Sequence, residues 1–238
     1  MLVTFESMAD PSAQVQVRTP RLIKATGFDL AIKRPLSLSS TTVESIAPVD
    51  LSKAVKAGDA TFYIIGSGKT AMDAVSFIHA QSPQASITMV AGSGMMFINR
   101  DRAFPRDRLS RYMGGLPLYS MMMKYALRWD GTNHASLYRE MLRRADMISP
   151  VPNPAACQLG LLGTEEMARI TSALSACIKG RLADIVDSDG MPTLHMQDGR
   201  TIPIAAVASG QRVVVVNCTD NLRELDTELT FIKGARLV

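Results

Sequence analysis

The residues whose types and spacing could do chemistry lie in one run, Ala60-Thr-Phe-Tyr-Ile-Ile-Gly-Ser-Gly-Lys-Thr-Ala-Met-Asp73. Thr61 to Ile65 are β-prone, uncharged residues, the pattern of a strand buried on both faces of a parallel sheet. Gly66 allows a sharp turn because it carries no Cβ. Gly68 lets the backbone approach a bound group closely, and Ala71 stands where a third small residue keeps helix and strand packed. Ala71, Met72, Val75 and Ile78 then share one helical face, with Lys69, Asp73 and Ser76 elsewhere. The helix start, with its unsatisfied N–H groups and positive dipole end, suits an anionic diphosphate held by Gly66, Ser67, Gly68, Lys69 and Thr70. The competing expectation is a tight strand-to-helix turn that binds nothing. A phosphate loop of the ATPase type would need glycine five residues before Gly68, where Tyr63 stands.

Around this run the chain has the composition of an ordinary globular protein, with 238 residues, 47% of them hydrophobic and 20% charged. The formal net charge is +4. That modest excess, scattered apart from the stretch Arg100 to Arg111 and the pair Arg143-Arg144, suits a phosphate-bearing cofactor or a solvated face. It suggests neither a nucleic-acid nor a membrane partner. Cys157, Cys177 and Cys218 form no CxxC pair, so reduced thiols and a cytoplasmic setting are expected. His79, His134 and His195 lack metal-ligand spacing. No apolar run approaches the roughly 18 residues of a membrane span.

The remaining elements must position the glycine turn. Gln14 to Val17 alternates like a strand, and Arg21 to Ala25 reads as another, ending at Thr26-Gly27. Ser37 to Ser45 reads as a connection, and Asp50 to Gly58 as a short helix or turn. Ser86 to Val90 reads as the next strand, with Gly92-Ser93-Gly94 and Met95 to Ile98 as a loop. Helices are expected within Arg106 to Trp129, from Ser136 to Met147, and from an N-cap at Thr164 to about Ile178, closed by Gly180. Met121 to Met123 read as core or interdomain packing. Three short strands come next, at Leu182 to Val186, Thr193 to Gln197 and Thr201 to Ile204, the last two joined by Asp198-Gly199. Arg212 to Cys218 is a buried strand, and a weak one is expected at Leu229 to Ile232. The expected fold class is α/β, a Rossmann-like parallel sheet flanked by helices with a small antiparallel β-meander.

Four pieces of the chain resemble two-dinucleotide-domain flavoproteins, the pyridine nucleotide–disulfide oxidoreductases and flavin-containing monooxygenases. Lys24-Ala25-Thr26-Gly27 resembles the ATG element of their FAD domain. Ile64 to Asp73 resembles their NAD(P) glycine motif. Phe97-Ile-Asn-Arg-Asp101 resembles the loop beyond the second strand, and Val214 to Asp220 the strand that returns to the FAD domain. The resemblance implies residues 1–48 as an FAD-domain remnant and connection, 49–210 as an NAD(P)-binding domain with a meander around 182–204, and 211–238 as the return segment. It implies hydride transfer from NADPH to FAD, with Thr26 and Gly27 on the flavin side. No FAD fingerprint precedes Gly66, so the chain reads as an incomplete member, a fragment or one part of a split protein. On that basis Gln14 to Ala25 and Arg212 to Thr219 are expected to be orphaned sheet edges.

The second strand ends at Ala91-Gly92, with neither the acidic residue of an NAD site nor an adjacent arginine. Arg100 and Arg102 lie downstream, and Arg100 is the candidate partner of a ribose phosphate, which favours NADPH over NADH. The rival functions are a non-catalytic nucleotide-binding module and an assembly partner, self-associating or serving a flavin subunit. A short-chain dehydrogenase is disfavoured: Tyr119, Tyr125 and Tyr138 are followed four residues on by Met123, Trp129 and Leu142, never by lysine. No acid, base or nucleophile pair stands out as catalytic.

Overall fold

The computed structural model describes residues 2–6, 10, 12–18, 20, 34–105, 112, 116–204 and 210–219. The chain divides into two compact units. In the first, β1 (Leu2–Glu6) and β2 (Gln14–Arg18) form an antiparallel hairpin with Leu2 opposite Arg18. The weakly patterned start of the chain is therefore a strand. The expected strand at 21–25, Thr26 and Gly27, and the expected strand at 229–232 fall outside the described residues.

The second unit spans Ile32–Arg223. Its elements begin with β3 (Glu44–Ile46), α1 (Leu51–Lys56), β4 (Ala60–Ile65), α2 (Lys69–Gln81) and β5 (Ile87–Val90). A second group comprises β6 (Met95–Asn99), α3 (Arg100–Ala103), α4 (Leu116–Ala126), α5 (His134–Arg143), β7 (Met147–Ile148), β8 (Ala156–Leu162) and α6 (Thr164–Ala173). The chain then runs through β9 (Ala176–Ile178), β10 (Leu182–Ser188), β11 (Met191–Met196), β12 (Thr201–Pro203) and β13 (Arg212–Asn217). Strands β3, β13, β4, β5 and β9 lie in that order in one all-parallel sheet.

The apolar run Val213 to Val216 occupies the middle of this sheet because both its faces are buried. Phe62, Ile64, Val214 and Val216 face Met72, Val75 and Ile78 of α2 and Ile170 of α6. Their alternates Tyr63, Ile65, Val213 and Val215 face Ile185, Leu194 and Met196 of the meander β10-β11-β12. Successive side chains of a strand point to opposite faces, so four consecutive valines fill two different cores. The molecule is thus an α/β protein with a helix-flanked parallel sheet and a separate antiparallel three-stranded sheet.

The meander rests on its turns. Asp189 and Gly190, both at positive φ, join β10 to β11. The linker before β3 is tied to β10 by carboxylates. Asp184 accepts from the Ser39 hydroxyl at 2.5 Å, and Asp187 accepts from the hydroxyls of Ser40 at 2.5 Å and Thr42 at 2.7 Å. The Thr41 N–H adds a bond to Asp187 at 2.9 Å. These bonds hold the Asp187 carboxyl at about 2, well below the usual carboxylate range.

Between β5 and β9 the chain builds a second small sheet, β7-β6-β8. Met96, Ile98 and Met147 of that sheet pack with Leu118 and Met121 of α4 and Met141 and Leu142 of α5. Met121 is thus half-buried in this core, while Met122 faces solvent.

Several expectations change. Residues 95–99 continue as a strand, not a loop, because their apolar side chains meet β8 and the helices. Glu44–Ile46 is a strand where a connection was expected, since β13 offers it a parallel partner. The helix after Gly163 has Gly163 at its N-cap and stops at Ala173. Ala176–Ile178, expected as its last turn, pairs with β5 instead. Gly180 therefore closes no helix, and bridges Gly92 at φ +125°. Arg212 to Asn217 is no orphaned edge, because β3 and β4 pair with it on its two sides.

Candidate functional site

The glycine turn sits at the carboxyl end of β4, where the order of strands reverses. From β4 the chain moves outward to β5 and then β9, while β13 lies on its other side. In open parallel sheets such a switch point leaves a crevice outside the strand ends, where ligands bind. The strand ends are knitted together there. The Gly66 N–H donates to the Val90 carbonyl at 2.8 Å, and the Cys218 N–H donates to that of Ile65 at 2.9 Å.

Gly66 is required on two counts. Its φ is +113°, and a Cβ would lie 2.7 Å from the Cys218 carbonyl oxygen and 2.9 Å from its carbon. The Ser67 side chain is turned inward, its hydroxyl donating to the Ala91 carbonyl at 2.7 Å and locking the turn to β5. Gly68 stands at the N-cap of α2 in extended backbone and supplies no side chain to cap the helix. Lys69 and Thr70 open that helix, and Ala71 is fully buried against the sheet. The segment that could meet a diphosphate is therefore backbone and helix end, with the serine hydroxyl held by the protein itself.

Two of the expected site residues are joined by a third that the sequence did not single out. Lys69 Nζ lies 2.6 Å from Asp73 and 2.8 Å from Oε1 of Glu166, while Arg100 Nη2 lies 2.9 Å from Oε2 of the same carboxylate. Glu166 is in the first turn of α6 and also accepts the Gly163 N–H at 3.4 Å. Burial pulls the Lys69 ammonium down, but its bonds to Asp73 and Glu166 prevail and hold it above its ordinary range. Burial pushes Glu166 up, yet its bonds to Lys69 and the Gly163 N–H, with the charges of Lys69 and Arg100, keep it below the usual range. The reach of Glu166 back to the N-cap is a readable signal of a helix start. Its reach to α2 depends on long-range packing and has no sequence signature.

Arg102, two residues beyond Arg100, joins a different cluster. Its Nε lies 3.2 Å from the buried carboxylate of Asp146, which also meets Lys124 Nζ at 3.0 Å, Arg144 Nε at 3.6 Å and the Tyr125 hydroxyl. Burial raises the Asp146 carboxyl, and the Tyr125 and Lys124 bonds with the Arg102 charge more than reverse it, leaving a carboxylate held below its ordinary range. This cluster fastens α3, α4 and β7 together. Thr26 and Gly27 lie outside the described residues. A cleft of about 380 Å³ opens at the amino ends of β3 and β13, on the sheet edge opposite the glycine turn. Its charged side chains pair among themselves, Arg212 with Glu44 at 2.7 Å and Lys53 with Asp50 at 3.1 Å.

Among the described residues no helix is long and apolar enough to cross a membrane. No family model matches the chain. No curated protein matches it by sequence. Among solved structures, the crystal structure of L-lysine 6-monooxygenase from Pseudomonas syringae is similar over 90% of this chain and 48% of that one, at 10% identity and a TM-score of 0.37. The chain spans about half the length of that structure.

Proposed function

We propose that the chain is the NADPH-binding part of a flavin-dependent oxidoreductase of the monooxygenase-like kind. The observation that supports this most directly is the Gly66–Gly68 turn at the switch point between β4 and β13, which leads straight into the N-terminus of α2 with no side-chain cap from Gly68. The uncapped start of α2 and the cations Lys69 and Arg100 stand beside that turn. Backbone N–H groups at the start of α2 would take the diphosphate, the Gly66 N–H being spent on Val90, and Arg100 would take the ribose phosphate. When bound, the nicotinamide supplies a hydride and the flavin accepts it. The residues of this chain bind and orient the dinucleotide; none is assigned to the chemical step.

The test is titration of the protein with NADPH and NADH by intrinsic fluorescence, with Gly68→Asp as control. Saturable NADPH binding that the aspartate abolishes supports the reading, because a carboxylate there repels the diphosphate. Equal binding by parent and variant, or none by the parent, refutes it. Bound flavin, visible by its absorption, distinguishes a flavin-dependent enzyme from a module that only holds a nucleotide.

A further inference from the structure

Glu166 occupies an unusual place. The β4–α2 and α6–β9 connections put the N-termini of α2 and α6 at the same edge of the parallel sheet, the carboxyl edge where the glycine turn lies. Both helix dipoles direct positive potential there. Lys69 and Arg100 add two cations, and each takes one oxygen of the Glu166 carboxylate. A carboxylate shared between an ammonium and a guanidinium has the same donor pattern that two oxygens of a phosphate monoester would accept. We infer that Glu166 is an internal stand-in for the ligand's phosphate monoester, and that it must leave Lys69 and Arg100 for that phosphate to bind.

The inference rests on the dinucleotide reading and adds a competing, displaceable anion to it. The exchange is open to solvent, since the side chains of Glu166, Lys69 and Arg100 are 19%, 36% and 38% exposed. Glu166 also has a second place to go. Its Oε2 sits 3.4 Å from the Gly163 N–H, a long bond that can shorten when Arg100 releases it. The glutamate then caps its own helix, and Arg100 and Lys69, the latter still paired with Asp73 at 2.6 Å, turn to the ligand. A ligand without a monoester phosphate does not compete for the two cations, so the charge of Glu166 opposes NADPH binding more than NADH binding.

The variant is Glu166→Gln, which keeps the capping hydrogen bond to Gly163 and removes the charge. It is titrated beside the parent with NADPH and NADH, and melted with and without inorganic phosphate. The expected result is NADPH binding tighter by about fivefold, the factor one unit charge about 4 Å away supplies even at the permittivity of water, with NADH shifted by less than half that factor. NADPH binding unchanged or weaker in the variant overturns the inference, while a parent that still binds NADPH and loses it with Gly68→Asp leaves the dinucleotide reading standing. If neither protein binds a dinucleotide, that reading falls and the phosphate melts decide. Stronger stabilisation of Glu166→Gln than of the parent keeps the anion cradle, and equal stabilisation overturns it.

Discussion

Replacing Gly66 with alanine separates the fold from the site. The new Cβ would sit 2.7 Å from the Cys218 carbonyl oxygen, and the backbone would have to keep a φ of +113°. Holding a residue with a side chain in so sparsely populated a region costs about 1–3 kcal/mol. The collision is with backbone, which cannot swing aside as a flexible side chain can. Cys218 is held by its own N–H bond to Ile65 at 2.9 Å, just past the β13–β4 pairing. Relieving it means parting the two central strands, an overpacking cost of about 1–3 kcal/mol. The two together amount to about 2–6 kcal/mol, a large share of the roughly 5–15 kcal/mol that stabilises a domain. For a chain of this size that lowers Tm by about 4–24 °C. Gly68→Ala is the matched control. Its φ of −76° with extended ψ is open to any residue, and alanine costs it about 1 kcal/mol as an N-cap. Thermal and urea denaturation of both variants provide the comparison. Gly66→Ala within about 1 kcal/mol of the parent would show that the strand ends are not locked as described.

Two further substitutions probe the rest of the frame. For Asp187→Asn, the folded carboxyl lies at about 2, below its ordinary 3.8. The stabilisation from a depressed carboxyl is present in full above the unfolded value and is lost as pH falls through the folded one. The urea midpoints of parent and variant should therefore differ steadily above about pH 4 and converge toward pH 2; a gap that widens on acidification refutes the assignment. For Asp146→Ala, Lys124, Arg102 and Arg144 lose a carboxylate whose side chain is only 6% exposed, and the Tyr125 hydroxyl loses its acceptor. The expected loss is about 2–4 kcal/mol by chemical denaturation. An unchanged midpoint would show that the cluster does not hold the inserted sheet to its helices.

What the sequence by itself determined is the local pattern. Thr61 to Ile65, the glycines after them and the face Ala71, Met72, Val75 and Ile78 specify strand, turn and helix through β-propensity, glycine freedom and 3.6-residue periodicity, and all three are present. The meander was legible for the same reason, through alternation and the turn residues Asp198-Gly199. The tertiary structure alone decided which short apolar segments became strands. Ala176–Ile178 reads as the end of a helix until β5 presents an open edge to pair with, and Met95–Asn99 reads as loop until β8 lies beside it. It alone also decided the charges around the turn. Lys69 and Glu166 are separated by 97 residues, and only the packing of α2 beside α6 brings them within 2.8 Å. Backbone preferences act over a few neighbouring residues and are written in composition, whereas strand pairing and ion pairing join distant parts of the chain and exist only once the core has closed.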